Sequence, residues 1–428
     1  MNILLLSTSH PEKTAGVIAK DFLQTIKSIS GFRVKLIVQP WDNYLDKDII
    51  PIDGKVASFL RDFRYKMRNR LFKYLRLDRG VDVNYSSHEF DETITYYKSK
   101  KFLRKIDYVP EVIIVMFMPN FLSFKNLYEL QVLTGAKILL YPMDNAPYTG
   151  GCHWNWGCSG FTQNCGNCPA LKSHNEFDRS NRNMIYKAKY IGKMEIELLA
   201  PNILTQKKLK NSSLFQGNKI HYILPAVDEN FFKPSDKLEA KMALGLPTSK
   251  KVLFFGAVSL ADGGIRKGFR ELNQTLQLLV NMIPLKERDN VHLVQAGSRS
   301  VIDLSNFPFT ASDFGYLDLH KLSLLYQAAD VFICPSIEDG GPLMIVQSIM
   351  SGTPVVAFEM GIAIELVINN KTGYKAKLKD CEDFANGITK LLRLSDNEYE
   401  DYRHNCRKLA LERCSKSAFR VNIKKIFS

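Results

Sequence analysis

Cys334–Gly361 reads CPSIEDGGPLMIVQSIMSGTPVVAFEMG, a run that parses as strand, loop, helix and strand. Pro342 suits the first helical turn, where its missing N–H costs nothing, and Gly352 suits the C-terminal cap. Gly340 and Gly341 let backbone approach a ligand closely just before the helix opens near Leu343. The free N–H groups and the dipole of such a helix start favour phosphate. Glu338 and Asp339 on the same loop can hydrogen-bond the hydroxyls of a sugar. Gln347, one to two turns into the helix, could reach a ribose.

The same alternation extends in both directions. Val252–Gly256 reads as a strand, and Phe269, Leu272, Leu276, Leu279, Val280 and Ile283 share one helical face. Val291–Ala296 is a strand, Leu319–Ala329 a helix, and Val331–Cys334 and Thr353–Phe358 are strands. In the first half, Ile3–Ser7, Arg33–Gln39, Val112–Met118 and Lys137–Tyr141 read as strands, with a helical pattern from about Ala15. A long helix is expected over about Asn183–Leu199, with Ile203–Thr205 and Tyr222–Pro225 as the last strands of that half. Strands alternating with helices predict an α/β fold built on parallel sheets.

A chain of 428 residues exceeds the size at which one core stops growing, so two domains are expected. Pro225, Pro234 and Pro247 punctuate a polar stretch at 225–250, where the interdomain linker is placed. The expected division is 1–224, 225–408, and a closing helix at 409–428 that returns to the first domain.

With 45% hydrophobic and 24% charged residues, the chain has the profile of an ordinary globular enzyme. Lys and Arg total 58 against 44 acidic residues, a net charge of +14, which points to an anionic partner or surface. The N-terminus MNILLLSTSHPEK has no basic n-region, and its apolar run ends after Leu6, too short for a signal peptide. No apolar stretch approaches the roughly 20 residues of a membrane span. The chain is therefore expected to be cytoplasmic, with its eight cysteines reduced rather than paired.

Arg266, Lys267 and Gly268 follow a Gly263–Gly264 turn and open a helix, just after the strand that contains Gly256. Cations so placed would neutralise a diphosphate leaving group. Together with Cys334–Gly361, this pattern resembles the donor-binding signature of the retaining family-four glycosyltransferases of the GT-B fold. The resemblance covers most of the chain and is strongest from Val252 to Gly373. Gly315–Asp330 (GYLDLHKLSLLYQAAD) resembles the segment whose backbone near Gly315 and Tyr316 holds the base. Leu224–Pro234 (LPAVDENFFKP) resembles the start of the family's linker, and Gly361, Glu365 and Gly373 match its C-terminal pattern.

The resemblance implies two Rossmann-like domains facing a central cleft, with a nucleotide-sugar donor, UDP- or GDP-linked, bound by the second. It implies a loop carboxylate on the donor sugar. The usual interval back from Gln347 selects Asp339, whereas the loop glycine pattern selects Glu338. The family's second acidic position is Gln347 here. Where the family carries an Arg directly after the strand glycine, Ala257 follows Gly256, and Arg266 is positioned to replace it. The implied chemistry is retaining: the acceptor hydroxyl attacks the face the nucleotide leaves from, a donor phosphate oxygen takes the proton, and no catalytic metal is required.

Tyr141–Leu171 reads YPMDNAPYTGGCHWNWGCSGFTQNCGNCPAL. Cys152, Cys158, Cys165 and Cys168, gathered in one loop of a reduced protein, suggest a structural Zn²⁺ held by four thiolates. An iron–sulfur cluster and unliganded thiols are the alternatives, and His153 could replace one cysteine. The loop also resembles one in a bacterial polysaccharide-building branch of the same family. It follows a strand whose carboxyl end should face ligand, so Asp144, Thr149 and Gly150 are acceptor-side candidates. Asp144 reads equally as a turn residue, and Met143 stands where many relatives carry His.

Phe59–Arg79 (FLRDFRYKMRNRLFKYLRLDR) places Leu60, Phe63, Met67, Leu71 and Leu75 on one helical face with Arg and Lys around it. Such a helix suits an anionic membrane surface, or equally a place packed on the first sheet. The expectation is a transferase adding sugar to a glycan acceptor on a polyprenyl lipid carrier, at the inner face of the plasma membrane. A sugar-nucleotide epimerase on the same two lobes is the alternative. A zinc-stabilised nucleic-acid-binding protein is a third reading, but no zinc-finger, helix-turn-helix or RNA-stacking pattern accompanies the positive charge.

Overall fold

The computed structural model describes residues 1–12, 16–74, 91–257, 264–297 and 302–427. Two compact units emerge, Met1–Pro201 with Thr205–Ile223, and Asn202–Leu204 with Leu224–Ser428. The second unit includes the helix Lys416–Phe427, which the sequence reading had returned to the first domain.

Unit 1 holds a parallel sheet of β1 (Asn2–Ser7), β2 (Arg33–Val38), β3 (Ile49–Pro51), β4 (Val112–Phe117), β5 (Lys137–Leu140), β6 (Ile196–Ala200) and β7 (Ile220–Tyr222). Its order is β3-β2-β1-β4-β5-β6-β7, so the chain reverses its direction of travel between β1 and β4. Leu4, Leu6, Ile113, Val115, Ile138 and Leu140 are fully buried in the main core cluster. Residues of the opposite parity, such as Leu5 and Ile114, are buried as well, because helices cover both faces of a parallel sheet. Each such side chain contributes about 1.5–3 kcal/mol on leaving water.

Unit 2 repeats the plan with β8 (Lys251–Ala257), β9 (Val291–Gly297), β10 (Thr310–Asp313), β11 (Val331–Cys334), β12 (Val355–Phe358) and β13 (Gly373–Ala376). The order is β10-β9-β8-β11-β12-β13, with the switch between β8 and β11. Ligands of open α/β sheets bind outside the carboxyl ends of strands at such a switch point. Gly256 lies one residue before the end of β8, and the Cys334–Gly361 motif begins at the last residue of β11.

Two expected elements are corrected. The long helix expected to reach Leu199 ends at Ile191, and Ile196–Ala200 is a strand. Gly192 caps the helix, and a five-residue, largely apolar segment is too short for its periodicity to distinguish strand from helix. Ile203–Thr205, read as a strand, is the first turn of the helix Ile203–Asn211, with Ile203 exposed.

Candidate functional site

Unit 2 brings Arg266 and Lys267 onto the loop that follows β11. Gly268 has φ +70°, and a Cβ there would lie 1.8 Å from the Pro335 carbonyl oxygen, so only glycine permits this approach. The Arg266 carbonyl accepts from the backbone N–H of Ile337 at 3.0 Å. Arg266 Nη1 donates to the Glu338 carbonyl at 3.2 Å and to Asp339 Oδ2 at 2.8 Å. Lys267 Nζ donates to the same Oδ2 at 2.6 Å, and Asp339 Oδ1 accepts from the Gly341 N–H at 3.1 Å.

Asp339 thus lies between two cations at the switch point. Burial would raise its carboxyl, but Lys267 and Arg266 outweigh that and hold it well below the usual carboxylate range. An anion bound by both cations and a loop N–H marks where negative charge is favoured.

The remaining donor-side candidates are placed around this centre. Pro342 precedes the helix Leu343–Met350, and Gly341 has φ +143°. Within unit 2 the buried Asn202 donates Nδ2 to the Gly340 carbonyl at 2.6 Å, a support that no spacing in the sequence signalled. Gln347 is buried, and its Oε1 accepts from the Tyr326 hydroxyl at 3.2 Å. Gly315 has φ +58°, and its carbonyl accepts from the Gly297 N–H at 2.7 Å, tying the β10 end to β9. Tyr316 beside it is 63% exposed. Gly256 sits against β9, where a Cβ would meet the Ala296 carbonyl at 2.3 Å. Gly263, expected to flank Arg266, lies outside the described residues.

In unit 1 the loop after β5 folds back on the helix Arg179–Ile191. Asp178 caps that helix, and its Oδ2 also accepts from the Cys168 N–H at 2.9 Å. Ser180 Oγ accepts from the Gly166 N–H at 3.0 Å, and Asn183 Nδ2 donates to the Gly150 carbonyl at 2.8 Å. Lys187 is fully buried and donates Nζ to the carbonyls of Ala146 and Thr149 at 2.5 and 2.8 Å. Its role was not legible, because a lysine in a helical stretch ordinarily reads as solvated. Burial lowers the Lys187 pKa, opposed by Glu92, and burial pushes Glu92 up to about 7 against the pull of Lys187.

Asp144 is buried. One oxygen accepts from the Ala146 N–H at 3.0 Å, as in a turn, and the other binds His153 Nδ1. His153 therefore faces Asp144, and it does not line the cavity of the cysteines. Thr149 and Gly150 line that cavity together with Cys152, Cys158, Cys165 and Cys168. Gly150 is obligatory there, because a Cβ would lie 2.6 Å from the Ser180 carbonyl. None of the four cysteines forms a disulfide. Burial pushes the thiols of Cys152 and Cys165 up to about 12 and 11.

The helix Lys55–Tyr74 is anchored by Arg61, whose Nη1 donates to Asp53 at 2.9 Å. Phe59, Phe63 and Met67 on it are 68%, 50% and 55% exposed, so this apolar ridge is not packed on the sheet. Residues 75–79 of the expected basic helix, including Leu75, lie outside the described residues. Among the described residues no helix is long and apolar enough to cross a membrane.

Residues 267–410 match the family model for glycosyl transferases group 1. A D-inositol 3-phosphate glycosyltransferase 2 of Catenulispora acidiphila is 24% identical over 224 residues, 48% of this chain and 51% of that protein. A D-inositol 3-phosphate glycosyltransferase of Stackebrandtia nassauensis is 29% identical over 188 residues, 41% of each chain. The chain thus spans about half, or less, of the length of these curated relatives. Among solved structures, the sucrose-phosphate synthase of Thermosynechococcus elongatus covers 100% of this chain and 98% of its own, with TM-score 0.67 and 14% identity. Anabaena HepE, solved in complex with UDP and glucose, gives TM-score 0.61 at 15% identity, covering 100% of this chain and 99% of its own. Residues 267–410 are therefore similar to a glycosyl transferases group 1 domain, in a chain whose two parallel Rossmann-like sheets have the GT-B fold.

Proposed function

We propose that the protein is a retaining glycosyltransferase that moves a sugar from a UDP- or GDP-linked donor to a glycan acceptor. The observation that carries the reading is the Asp339 carboxylate bound between Arg266 and Lys267 at the switch point of the second sheet. The donor diphosphate takes its place beside the same cations, against the N–H groups of Gly340, Gly341 and Leu343. As the bond from sugar to phosphate breaks, negative charge grows on the leaving diphosphate, and Arg266 and Lys267 offset it without a catalytic metal. Glu338 or Asp339 holds the sugar hydroxyls, Gln347 the ribose, and the backbone at Gly315 and Tyr316 the base. The acceptor hydroxyl attacks the face from which the nucleotide leaves, and its proton passes to a phosphate oxygen. The HepE complexes with UDP and UDP-glucose support a uridine donor.

The test is thermal stabilisation by UDP, GDP, ADP and their sugar conjugates. A ligand at about one hundred times its Kd adds about 2.7 kcal/mol, a rise of several degrees for a chain of this size. A rise with one base supports the reading and names the donor. No rise with any of them returns Glu338, Gln347 and Lys267 to scaffold roles.

The acceptor side of the proposal is a polyprenyl-linked glycan in surface polysaccharide synthesis, reached at the cytoplasmic leaflet. The exposed ridge of Phe59, Phe63 and Met67, on a helix rich in Lys and Arg, supports it. Sedimentation with vesicles containing anionic lipid is expected for the wild type and is reduced in a Phe59→Ser, Phe63→Ser variant. Equal sedimentation of the two would remove this helix from membrane contact.

A further inference from the structure

We propose that Cys152, Cys158, Cys165 and Cys168 form a structural site for a single divalent metal ion, zinc by its chemistry. The first gaps between these cysteines are wide, yet folding brings all four onto one cavity. That cavity is ≈ 20 Å³, room for about one water-sized sphere. One bare ion fits such a space.

Backbone geometry supports the assignment. Cys165, Gly166 and Asn167 have φ of +53°, +94° and +44°, three successive left-handed residues of which two carry a Cβ. This strained hairpin turns Cys165 and Cys168 toward the same cavity, and such strain persists only where the surroundings over-determine it. Gly166 is pressed against the Glu176 carbonyl, which would lie 2.3 Å from a Cβ. A backbone donor reaches one of the sulfurs: Gly160 N–H donates to Cys158 Sγ at 3.5 Å. Donors of this kind orient and stabilise thiolate ligands.

Charge balance points the same way. Four neutral thiols bind the dication by releasing four protons to solvent, which leaves a tetrathiolate of net charge −2. The buried Lys187 lies beneath the loop, its Nζ donating to the Ala146 and Thr149 carbonyls. Its ammonium is the counter-charge that a buried anionic centre needs. Among the described residues no three His, Cys, Asp or Glu side chains already stand in metal-ligand geometry. Binding therefore draws the sulfurs inward to about 2.3 Å from the ion. Tetrahedral four-sulfur sites favour zinc over oxygen-seeking cations. Because the loop also carries Asp144, Thr149 and Gly150, the ion fixes the segment after β5 independently of any donor.

Metal analysis of the full chain, purified under reducing conditions, is expected to find about one zinc per chain. A Cys165→Ser, Cys168→Ser variant loses it, whereas Cys381→Ser, outside the loop, keeps it. Cobalt added to the reduced, metal-stripped protein is expected to give the red d–d bands and thiolate charge-transfer absorption of a tetrahedral tetrathiolate. If the double variant does not fold, titration of the wild type with a mercurial decides, zinc leaving as the loop thiols are consumed. Only trace metal in the wild type together with no tetrathiolate cobalt spectrum overturns the proposal. So does iron with acid-labile sulfide, which would assign a cluster instead.

Discussion

Lys267→Ala is expected to lower turnover with a nucleotide-sugar donor by about two to three orders of magnitude, the usual loss when one donor to a developing anion is removed. The effect is electrostatic. Lys267 Nζ is 2.6 Å from Asp339 Oδ2, and the two-cation centre would lose half its charge. The fold is expected to survive, because Asp339 keeps Arg266 and the Gly341 N–H. Loss of one such bond costs about 1–3 kcal/mol, a drop of several degrees in Tm. Lys267→Arg keeps the charge and should recover part of the rate. Donor turnover of Lys267→Ala at the wild-type level would remove this side chain from the leaving-group role.

The second large effect is expected at Gly268. Its Cβ-substituted form would meet the Pro335 carbonyl oxygen at 1.8 Å and carbon at 2.8 Å, with φ held at +70°. Neither backbone can yield easily, since the bond from Ile337 N–H to the Arg266 carbonyl joins the two loops. Gly268→Ala is expected to destabilise by about 3 kcal/mol or more, the sum of left-handed strain and a backbone clash. It should abolish turnover too, because Arg266 and Lys267 would move off Asp339. Gly31→Ala is the control. Gly31 has φ +81° but nothing within 4 Å, so about 1 kcal/mol is expected. Matching urea midpoints for the two variants would show that the Gly268 approach to Pro335 is not tight.

The two-lobed α/β organisation and the loop before the helix Leu343–Met350 were legible in the sequence because their signals are local. Continuous apolar runs such as Ile3–Leu6 and Val331–Cys334 announce parallel strands, and a Gly-Gly-Pro before an apolar helix announces a helix start near a ligand. Short edge strands were not legible. Thr310–Asp313 is polar and largely exposed, and only pairing with β9 makes it a strand. Ile196–Ala200 and Ile203–Thr205 exchanged roles for a related reason: short apolar segments have no period of their own, and their neighbours decide.

The residue types of the site were set by the sequence alone, and so was the clustering of cysteines in one loop. Tertiary structure decided their partners. It gave the Asp339 carboxylate to Arg266 and Lys267 across more than seventy residues, and turned His153 Nδ1 to Asp144. It also buried Lys187 beneath the cysteine loop. Such pairings are long-range and electrostatic. They depend on which carboxylate or carbonyl a folded backbone brings within about 3 Å, a distance that no spacing along the chain encodes.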